Sequence, residues 1–509
     1  MTLLLQNKIL ICVIPFILGL ISSFSLPPYS FFFINFITFP LFIIYLISNY
    51  KKGKWTSFTI GWMFGFGYFI SNLYWITNAL TFEDNFKPLI PIALILIPLF
   101  LGIFYGLATL VCSFFTLNKK FSSILIFSIF FSLIEFVRSF ILGGFPWNLI
   151  VFSWVDYLAF LQVLSYIGTY SFNLLSITIF LIPVIVLFDY RKIIKISFLF
   201  FTIIILLINF LYGSLIIKSN NKINDIDLNF LIKIISPKIE IDRYFKGEQP
   251  EIIISELIEL SQPNKLEKTI FIFPEGVLSG IYLENLKNYS YMFSENYSDQ
   301  HTIVMGINSI ENDKVYNSMA VLDKDLNILE KYKKNKLVPF GEFLPLEKFF
   351  GKLGLKKITQ GYRSFSHDNK RKIININNLN FIPLICYEVI YSGKINKSDE
   401  NYDLILNISE DGWFGNSIGP YQHFSHSIFR SIEEGRYLIR SANNGISAFI
   451  NPKGQIINQI KSTERGVIEI KSFEKTKKTL FSSFGNKIFF YFLLFYISLF
   501  FFLKKKENK

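Results

Sequence analysis

Long apolar runs are the feature of this chain that most constrains its fold. Runs of about 20 residues, enough to cross a bilayer as a helix, occur seven times before residue 218 and once near the end. We place them at 8–24, 31–49, 57–79, 88–117, 121–142, 166–188, 194–217 and 486–503. Composition agrees, because 51% of the residues are hydrophobic and the mean hydropathy is +0.40, more than a soluble core requires. The sequence therefore predicts an integral membrane protein with about eight spans.

The positive charges between these runs predict an orientation. Short cytoplasmic loops are enriched in Lys and Arg, so an inside amino terminus places one set of cations in the cytoplasm. That set is Lys8, Lys51, Lys52, Lys54, Lys119, Lys120, Arg191, Lys192, Lys195, Lys504, Lys505, Lys506 and Lys509. The opposite short loops hold little more than Lys87. We therefore predict a seven-helix bundle over 1–217, a catalytic domain on the far, periplasmic face over 218–485, and a last span with a basic cytoplasmic tail over 486–509.

Two other functions receive no support from the sequence. The net charge of +13 lies largely in these loops and the tail, and no zinc-finger spacing, recognition helix or basic-aromatic run accompanies it, so we predict no nucleic-acid partner. His423 and His426 are three residues apart, but the chain has only four histidines and no acidic residue lies between these two. We therefore predict no metal site.

The exported stretch has the pattern of a layered α/β domain. Strands are predicted at 228–235, 269–273, 302–306, 316–322, 381–385, 402–407, 447–450 and 466–470, and helices near 249–261, 281–296 and 420–439. Reactive groups in such domains collect at the carboxyl ends of strands. Glu275, Cys386 and the stretch that begins at Asn407 each follow a predicted strand.

Cys386 is the candidate nucleophile. Cys12 and Cys112 lie in predicted spans, so the exported stretch has a single thiol and no internal disulfide. A thiol with a pKa near ~8.5 is mostly protonated at neutral pH, so it needs a base, for which Glu275 is the candidate. Lys334 would stabilise the oxyanion. Each residue also has a structural interpretation. Cys386 could be a small buried hydrophobic residue, Glu275 a helix cap, and Lys334 part of a solvated run of charges.

Longer sequence words surround these three residues. They are Phe273-Pro-Glu-Gly, Lys334-Asn-Lys-Leu-Val-Pro-Phe-Gly-Glu, Cys386-Tyr-Glu, Asn407-Ile-Ser-Glu-Asp-Gly-Trp-Phe-Gly, Arg430-Ser-Ile-Glu-Glu-Gly-Arg and Arg440-Ser-Ala-Asn-Asn-Gly. In this order they resemble the nitrilase superfamily, and most closely its membrane branch, the apolipoprotein N-acyltransferases. The resemblance includes the span layout and the Glu135-Phe-Val-Arg138 element, so it extends over nearly the whole chain.

The resemblance implies a fold and a set of site residues. The fold is a membrane α-helical bundle joined to a nitrilase-like αββα sandwich. Cys386 is implied as the nucleophile, Glu275 as the general base and Lys334 as the oxyanion stabiliser. The supporting or substrate-binding positions that it implies are Glu342, Tyr387, Glu388 and Trp413.

The resemblance also implies an activity. An acyl chain passes from a phospholipid to Cys386 as a thioester, and then to the free amine of a diacylglyceryl-modified cysteine on an apolipoprotein. We expect no metal or organic cofactor, a monomer, and a multi-pass location in the bacterial inner membrane. A membrane-tethered amidase that hydrolyses a small amide, and a non-catalytic lipid- or lipoprotein-binding scaffold, stay open as alternatives.

The chain departs from the family pattern at two places. Lys336 stands where the family has a histidine, which leaves open which of Lys333, Lys334 and Lys336 faces the thiol. The tryptophan that the family has near 235–245 is absent, so its role could pass to Tyr244 or Phe245, or be lost.

Two further elements have competing readings. The segment 343–357 mixes bulky apolar residues with lysines and suits either a headgroup layer or ordinary packing on the domain. Glu135 and Arg138, three apart within a predicted span, would steady the bundle or meet a phospholipid headgroup. We favour the structural role.

Overall fold

The computed structural model describes residues 8–219, 225–243, 249–345, 364–393, 395 and 401–507. Two units make up the chain, one formed by 1–218 with 483–509 and the other by 219–482. The α-helices of the described residues are α1 (Lys8–Ser23), α2 (Asn35–Asn49), α3 (Lys54–Leu73), α4 (Ile90–Cys112), α5 (Phe121–Arg138), α6 (Leu158–Leu161), α7 (Leu164–Leu181), α8 (Lys192–Lys218), α9 (Pro250–Ser261), α10 (Ser290–Asn296), α11 (Gly419–Glu434), α12 (Leu480–Phe484) and α13 (Lys487–Glu507). The strands are β1 (Asp225–Ser236), β2 (Thr269–Ile272), β3 (His301–Glu311), β4 (Lys314–Leu322), β5 (Ile328–Lys333), β6 (Ile374–Ile376), β7 (Leu379–Ile385), β8 (Leu404–Glu410), β9 (Tyr437–Asn443), β10 (Ser447–Ile450), β11 (Ile456–Ile460) and β12 (Gly466–Glu474).

The first unit is helical and apolar, as the sequence predicted. Within the described residues, six helical segments are long and apolar enough to cross a membrane: Phe32–Lys52, Asp84–Cys112, Phe121–Arg138, Leu164–Leu187, Lys192–Lys218 and Lys487–Glu507. The shorter α1 is also apolar. The run predicted at 57–79 corresponds to α3, which is not among the six. Glycine, serine and threonine dilute the apolar character of this helix, so the predicted count of eight spans remains approximate.

Glycines let three helices of this unit pack at close range. A Cβ at Gly19 of α1 would overlap the carbonyl oxygen of Phe64 in α3, and one at Gly67 of α3 would overlap that of Phe16 in α1. On the other side of α3, a Cβ at Gly65 would lie 2.7 Å from the Cα of Gly102 in α4. Small residues at such crossings replace side-chain bulk by backbone contact, the usual basis of helix association in membranes.

We expect Gly67→Ala to destabilise this unit by about 1–3 kcal/mol, because the added methyl must push α1 away from α3. Thermal unfolding of the detergent-solubilised protein, followed by tryptophan fluorescence, measures the effect. Ser48→Ala, at an exposed position of α2, is the control and should leave the transition in place. Equal midpoints for the two variants would contradict the close-packing argument.

Two six-stranded sheets form the second unit. Their strand orders are β12-β1-β2-β3-β4-β5 and β11-β10-β9-β8-β7-β6. The centre of each is parallel, with β1, β2 and β3 in one and β7, β8 and β9 in the other. Their strands read as near-continuous apolar runs because both faces are covered, which is typical of parallel sheets.

The sheets pack face to face between helices. The sheets meet through contacts of β1 with β9, β3 with β8 and β4 with β7, while α9 packs on β1 and β12, and α11 on β9 and β10. The result is a helix, sheet, sheet, helix order, so the predicted αββα sandwich is confirmed. The hydrophobic core formed by α9 and the first sheet includes Ile254, Leu257, Phe271, Ile303 and Ala320.

The predicted strands all coincide with observed ones, but four strands were not predicted: β5, β6, β9 and β11. The predicted helix over 420–439 is wrong beyond Glu434. There α11 ends on Gly435, whose φ of 62° is the left-handed conformation that closes helices. Residues 437–443 then form β9 in the middle of the second sheet.

Candidate active site

Three strand ends supply the three predicted catalytic side chains. Glu275 follows β2 and Lys334 follows β5, both in the first sheet, whereas Cys386 follows β7 of the second sheet. All three are buried, with relative exposures of 8%, 1% and 8%. The sandwich thus brings together groups that are 59 and 52 residues apart in sequence.

Lys334 lies between two carboxylates. Its Nζ is 3.3 Å from Oε1 of Glu275 and 2.9 Å from Oε1 of Glu342. Burial opposes the charged form, but the two carboxylates outweigh it and hold the pKa of Lys334 above its usual value. The ammonium therefore stays protonated and is fixed in place by its partners, as an oxyanion stabiliser must be.

Glu275 is held by two more donors that the sequence analysis missed. The Asn317 side-chain amide donates to Glu275 at 2.7 Å and to Glu342 at 2.6 Å. The backbone N–H of Glu410 donates to the second oxygen of Glu275 at 2.9 Å. Asn317 lies within β4 rather than at a strand end, so no positional signal identified it. These contacts fix the orientation of the candidate base.

Gly306 explains why the base can approach the second sheet. A Cβ at Gly306 would overlap the backbone of Glu275 and lie 2.9 Å from Cδ1 of Ile408 in β8. Only a glycine in β3 leaves room for the chain that carries the carboxylate at this point.

The charges around Cys386 set its protonation state. Burial raises the pKa of the Cys386 thiol, Glu275 raises it further and Lys334 lowers it, with a net increase. The resting sulfur is therefore a thiol at neutral pH, and attack on a carbonyl needs a base that removes the proton during the reaction. Glu275 is the carboxylate with the largest electrostatic effect on this thiol.

Glu388 connects the nucleophile to the loop after Lys334. Its fully buried carboxylate accepts hydrogen bonds from the backbone N–H groups of Ile385 at 2.8 Å, Asn335 at 2.9 Å and Lys336 at 3.1 Å. Tyr332 and Arg371 also donate to it, at 2.8 Å and 3.1 Å. Glu388 thus holds backbone on both sides of the site.

The lysines left open by the sequence are now distinguished by position. Lys333 forms an ion pair with Glu311 at the surface, and Lys336 is half-buried with its backbone N–H on Glu388. Lys334 is the one of the three whose ammonium contacts Glu275 and Glu342. Its catalytic role stays a prediction.

The remaining predicted site residues fall in several places. Tyr387 is buried with its ring 5.6 Å from that of Tyr391, and Trp413 is half-buried in the turn Asp411–Phe414. Tyr244 and Phe245 lie outside the described residues, as does the segment 343–357 from residue 346 onward.

Glu135 and Arg138 lie in the first unit, buried in α5. Glu135 accepts hydrogen bonds from Tyr105 at 2.9 Å and Asn173 at 2.6 Å, and Arg138 donates to the carbonyl of Phe145 at 2.8 Å. With exposures of 0% and 1%, these partners connect α4, α5 and α7. This geometry favours the structural role.

Comparisons with known families agree with both units. Residues 18–182 match the family model of the apolipoprotein N-acyltransferase N-terminal domain, and residues 265–471 match that of carbon-nitrogen hydrolase. Fold and site together therefore define a membrane protein of the carbon-nitrogen hydrolase class.

Relatives identify the family. The chain is 33% identical to an apolipoprotein N-acyltransferase of Rickettsia prowazekii, covering 93% of this chain and 94% of the relative, and 29% identical to one of Rhizobium rhizogenes, covering 89% and 88%. It belongs to the apolipoprotein N-acyltransferase family. Among solved structures it is similar to a CN-hydrolase superfamily protein of Xanthomonas campestris, with 14% identity, coverage of 48% of this chain and 91% of that chain, and a TM-score of 0.34.

Replacing Lys334 should make the thiol less reactive. Because Lys334 lowers the pKa of Cys386, its loss raises that pKa, and less thiolate is present at any given pH. We expect Lys334→Met to move the pH profile of alkylation by iodoacetamide to higher pH. The rate is measured by mass spectrometry in protein that lacks Cys12 and Cys112.

Lys333→Met is the matched control, because the neighbouring lysine pairs with Glu311 instead. It should leave the alkylation profile unchanged. A shift in the Lys333 variant with none in the Lys334 variant would reverse the assignment.

Proposed function

We propose that this protein transfers an acyl chain from a phospholipid, through a thioester on Cys386, to the amino-terminal amine of diacylglyceryl-modified apolipoproteins. One observation carries the proposal: similarity to apolipoprotein N-acyltransferases over 93% of the chain coincides with a buried thiol, carboxylate and ammonium at three strand ends. We propose that the protein acts as a monomer, with Glu275, Lys334 and Cys386 of one chain supplying the reacting groups.

The first half-reaction forms the thioester. Glu275 accepts the proton of the Cys386 thiol while the sulfur attacks an ester carbonyl carbon of the phospholipid. The C–S bond forms, and the negative charge on the carbonyl oxygen is stabilised by the ammonium of Lys334. The tetrahedral intermediate then breaks the bond to the ester oxygen, which takes the proton from Glu275 and leaves as the alcohol of a lysophospholipid.

The second half-reaction passes the acyl chain to nitrogen. The unprotonated amine of the apolipoprotein attacks the thioester carbonyl, Lys334 again stabilises the oxyanion, and Glu275 accepts a proton from nitrogen. The C–S bond breaks and the sulfur regains a proton, so an amide is released and the enzyme returns to its starting state. Because the thiol has a raised pKa, proton transfer to and from Glu275 accompanies both steps.

The surrounding carboxylates have distinct roles in this proposal. Glu342 is bound to Lys334 and Asn317, so it holds the ammonium where the oxyanion develops. Glu388 binds three backbone N–H groups and therefore supports the site without taking part in proton transfer. Tyr387, which follows the nucleophile in the chain, and Trp413, in the turn after β8, would contact substrate.

We further propose that the protein resides in the bacterial inner membrane with residues 219–482 on the periplasmic face. The distribution of cations between the apolar runs supports this orientation, because Lys51, Lys119 and Lys504 all lie in the segments assigned to the cytoplasm. The acceptor lipoprotein and the donor phospholipid would then be at the same membrane surface.

Incubation with phospholipid should increase the mass of the protein by one acyl chain on Cys386. Mass spectrometry of the detergent-solubilised protein with phosphatidylethanolamine measures the adduct, and hydroxylamine should remove it because thioesters are cleaved at neutral pH. Addition of a diacylated lipopeptide should discharge the adduct and convert the lipopeptide to its triacylated form. Lys334→Met should slow transfer by about 10²–10³-fold.

Cys386→Ser is the matched control, since it preserves size but removes the thiol, and should give neither thioester nor product. Release of free fatty acid with no gain by the lipopeptide would favour the amidase-like alternative. Full transfer by the serine variant would show that the Cys386 thiol is not required and would contradict the thioester mechanism.

Reporter fusions should give opposite results at two sites. Alkaline phosphatase, active only after export, should be active when fused after residue 300 and inactive when fused after Lys120. Immunoblotting checks that both fusions accumulate equally. Activity at Lys120 alone would show the reverse orientation.

A further inference from the structure

The backbone at the nucleophile has an unusual conformation. Cys386 has a φ of 49°, in the left-handed region that side chains other than glycine rarely adopt. This bend turns the chain from β7 into the helical turn Cys386–Ile390 and places the sulfur at the end of the sheet. Such a conformation persists only where surrounding contacts determine it.

His423 contacts the carbonyl group of this strained residue. It lies in α11 with 0% exposure, and its Nε2 is 3.3 Å from the carbonyl oxygen of Cys386. A carbonyl oxygen can only accept, so the contact is a hydrogen bond when Nε2 carries the proton. The ring of Phe414, 5.5 Å away and at 87° to the imidazole, limits its rotation.

A buried network holds the other side of the imidazole. Oδ1 of Asp411 is 2.9 Å from Nδ1 of His423 and accepts from the Ser409 hydroxyl at 2.7 Å, while Oδ2 accepts from Arg440 at 2.8 Å. Arg440 also lies 3.1 Å from Nδ1 and donates to it when the proton of the neutral ring is on Nε2. Burial holds the pKa of His423 below its usual value, which favours the neutral ring. Although burial opposes its ionised form, Arg440 and His423 hold the pKa of Asp411 below its usual value, so the anion is permanent.

The same network reaches the sulfur. A side-chain contact with Ser409 counters part of the effect of burial on the pKa of the Cys386 thiol, and the single hydroxyl hydrogen of Ser409 is donated to Asp411. Asp411 is therefore connected to Cys386 twice, through Ser409 to the thiol and through His423 to the backbone carbonyl.

We propose that His423 is a positioning residue for the nucleophile. Its Nε2–H holds the carbonyl of Cys386, while Arg440, fixed by Asp411, donates to Nδ1 and holds the imidazole. The bent backbone then keeps the sulfur aligned with Glu275 and Lys334, which come from the other sheet. This inference rests on the proposed role of Cys386 and adds a device that acts through backbone rather than on the reacting atoms.

Two substitutions of nearly equal size separate the contacts of His423. In His423→Gln the terminal amide nitrogen takes the place of Nε2 and can still donate to Cys386. In His423→Asn the shorter amide takes the place of Nδ1 and can reach Asp411 but not Cys386. We expect His423→Gln to remain within about 3-fold of wild type and His423→Asn to fall by about 10–100-fold, the range that a displacement of up to 1 Å produces.

The readout is the rate of thioester formation in the full-length protein. Detergent-solubilised protein is mixed with phosphatidylethanolamine, and the acylated fraction at Cys386 is followed by mass spectrometry at several lipid concentrations. The maximal rate should fall in His423→Asn while its dependence on lipid concentration stays the same, because His423 is fully buried and contacts backbone of the nucleophile. The thermal midpoint should match that of His423→Gln, which a general loss of stability would not allow.

The outcomes separate this inference from the proposed function. If wild type forms no thioester at Cys386, the proposed function fails. If wild type reacts and His423→Asn reacts equally fast, or His423→Gln is as slow as a folded His423→Asn, the positioning role is overturned. If His423→Asn does not fold, Asp411→Asn, which removes the anion that fixes Arg440 against the ring, decides: a slower maximal rate supports the role and an unchanged or faster rate overturns it.

Discussion

The site depends on one buried ammonium shared between two carboxylates. Lys334 contacts Glu275 and Glu342 in a region from which water is largely excluded. Burying charge is unfavourable unless each ion is paired and its remaining hydrogen-bonding capacity is used. The Asn317 amide and the Glu410 N–H meet that condition. Burial is the main reason that the neighbouring Cys386 thiol keeps its proton at rest, and Glu275 adds to this effect.

That cluster exists only because two sheets face each other. Glu275, Lys334 and Asn317 belong to the first sheet, but the N–H that completes the binding of Glu275 belongs to Glu410 at the end of β8 in the second. Gly306 permits this approach by leaving no side chain between β3 and the chain that carries Glu275. Packing of the sandwich and assembly of the site are therefore one event: a shift between the sheets would separate the base from both its donor and the nucleophile.

The sequence predicts the parts of this arrangement that a strand end reveals. One apolar run stops at Pro274-Glu275 and another stops at Cys386. Each pattern predicts a polar group at the end of a strand, and both strands are found where expected. Asn317 was not predicted as a site residue because a polar residue within a strand normally faces solvent. Only the fold shows that it is buried. Strand β9 was not predicted because the helical sequence pattern of α11 continues into its residues. Gly435 was the available sign that the helix ends.

The nucleophile is positioned by its peptide groups as much as by its side chain. On its amino-terminal side the N–H of Ile385 is bound by Glu388, and on its carboxyl side the C=O of Cys386 is bound by His423. Both partners are fully buried, and each is fixed by a cation: Arg371 contacts Glu388, and Arg440, paired with Asp411, contacts His423. These contacts clamp the bend at Cys386 at both ends and fix the direction of its Cα–Cβ bond, so the position of the sulfur then depends only on rotation about that bond. The backbone of the second sheet therefore positions the nucleophile, and the first sheet supplies the carboxylate of Glu275 and the ammonium of Lys334 that act with it.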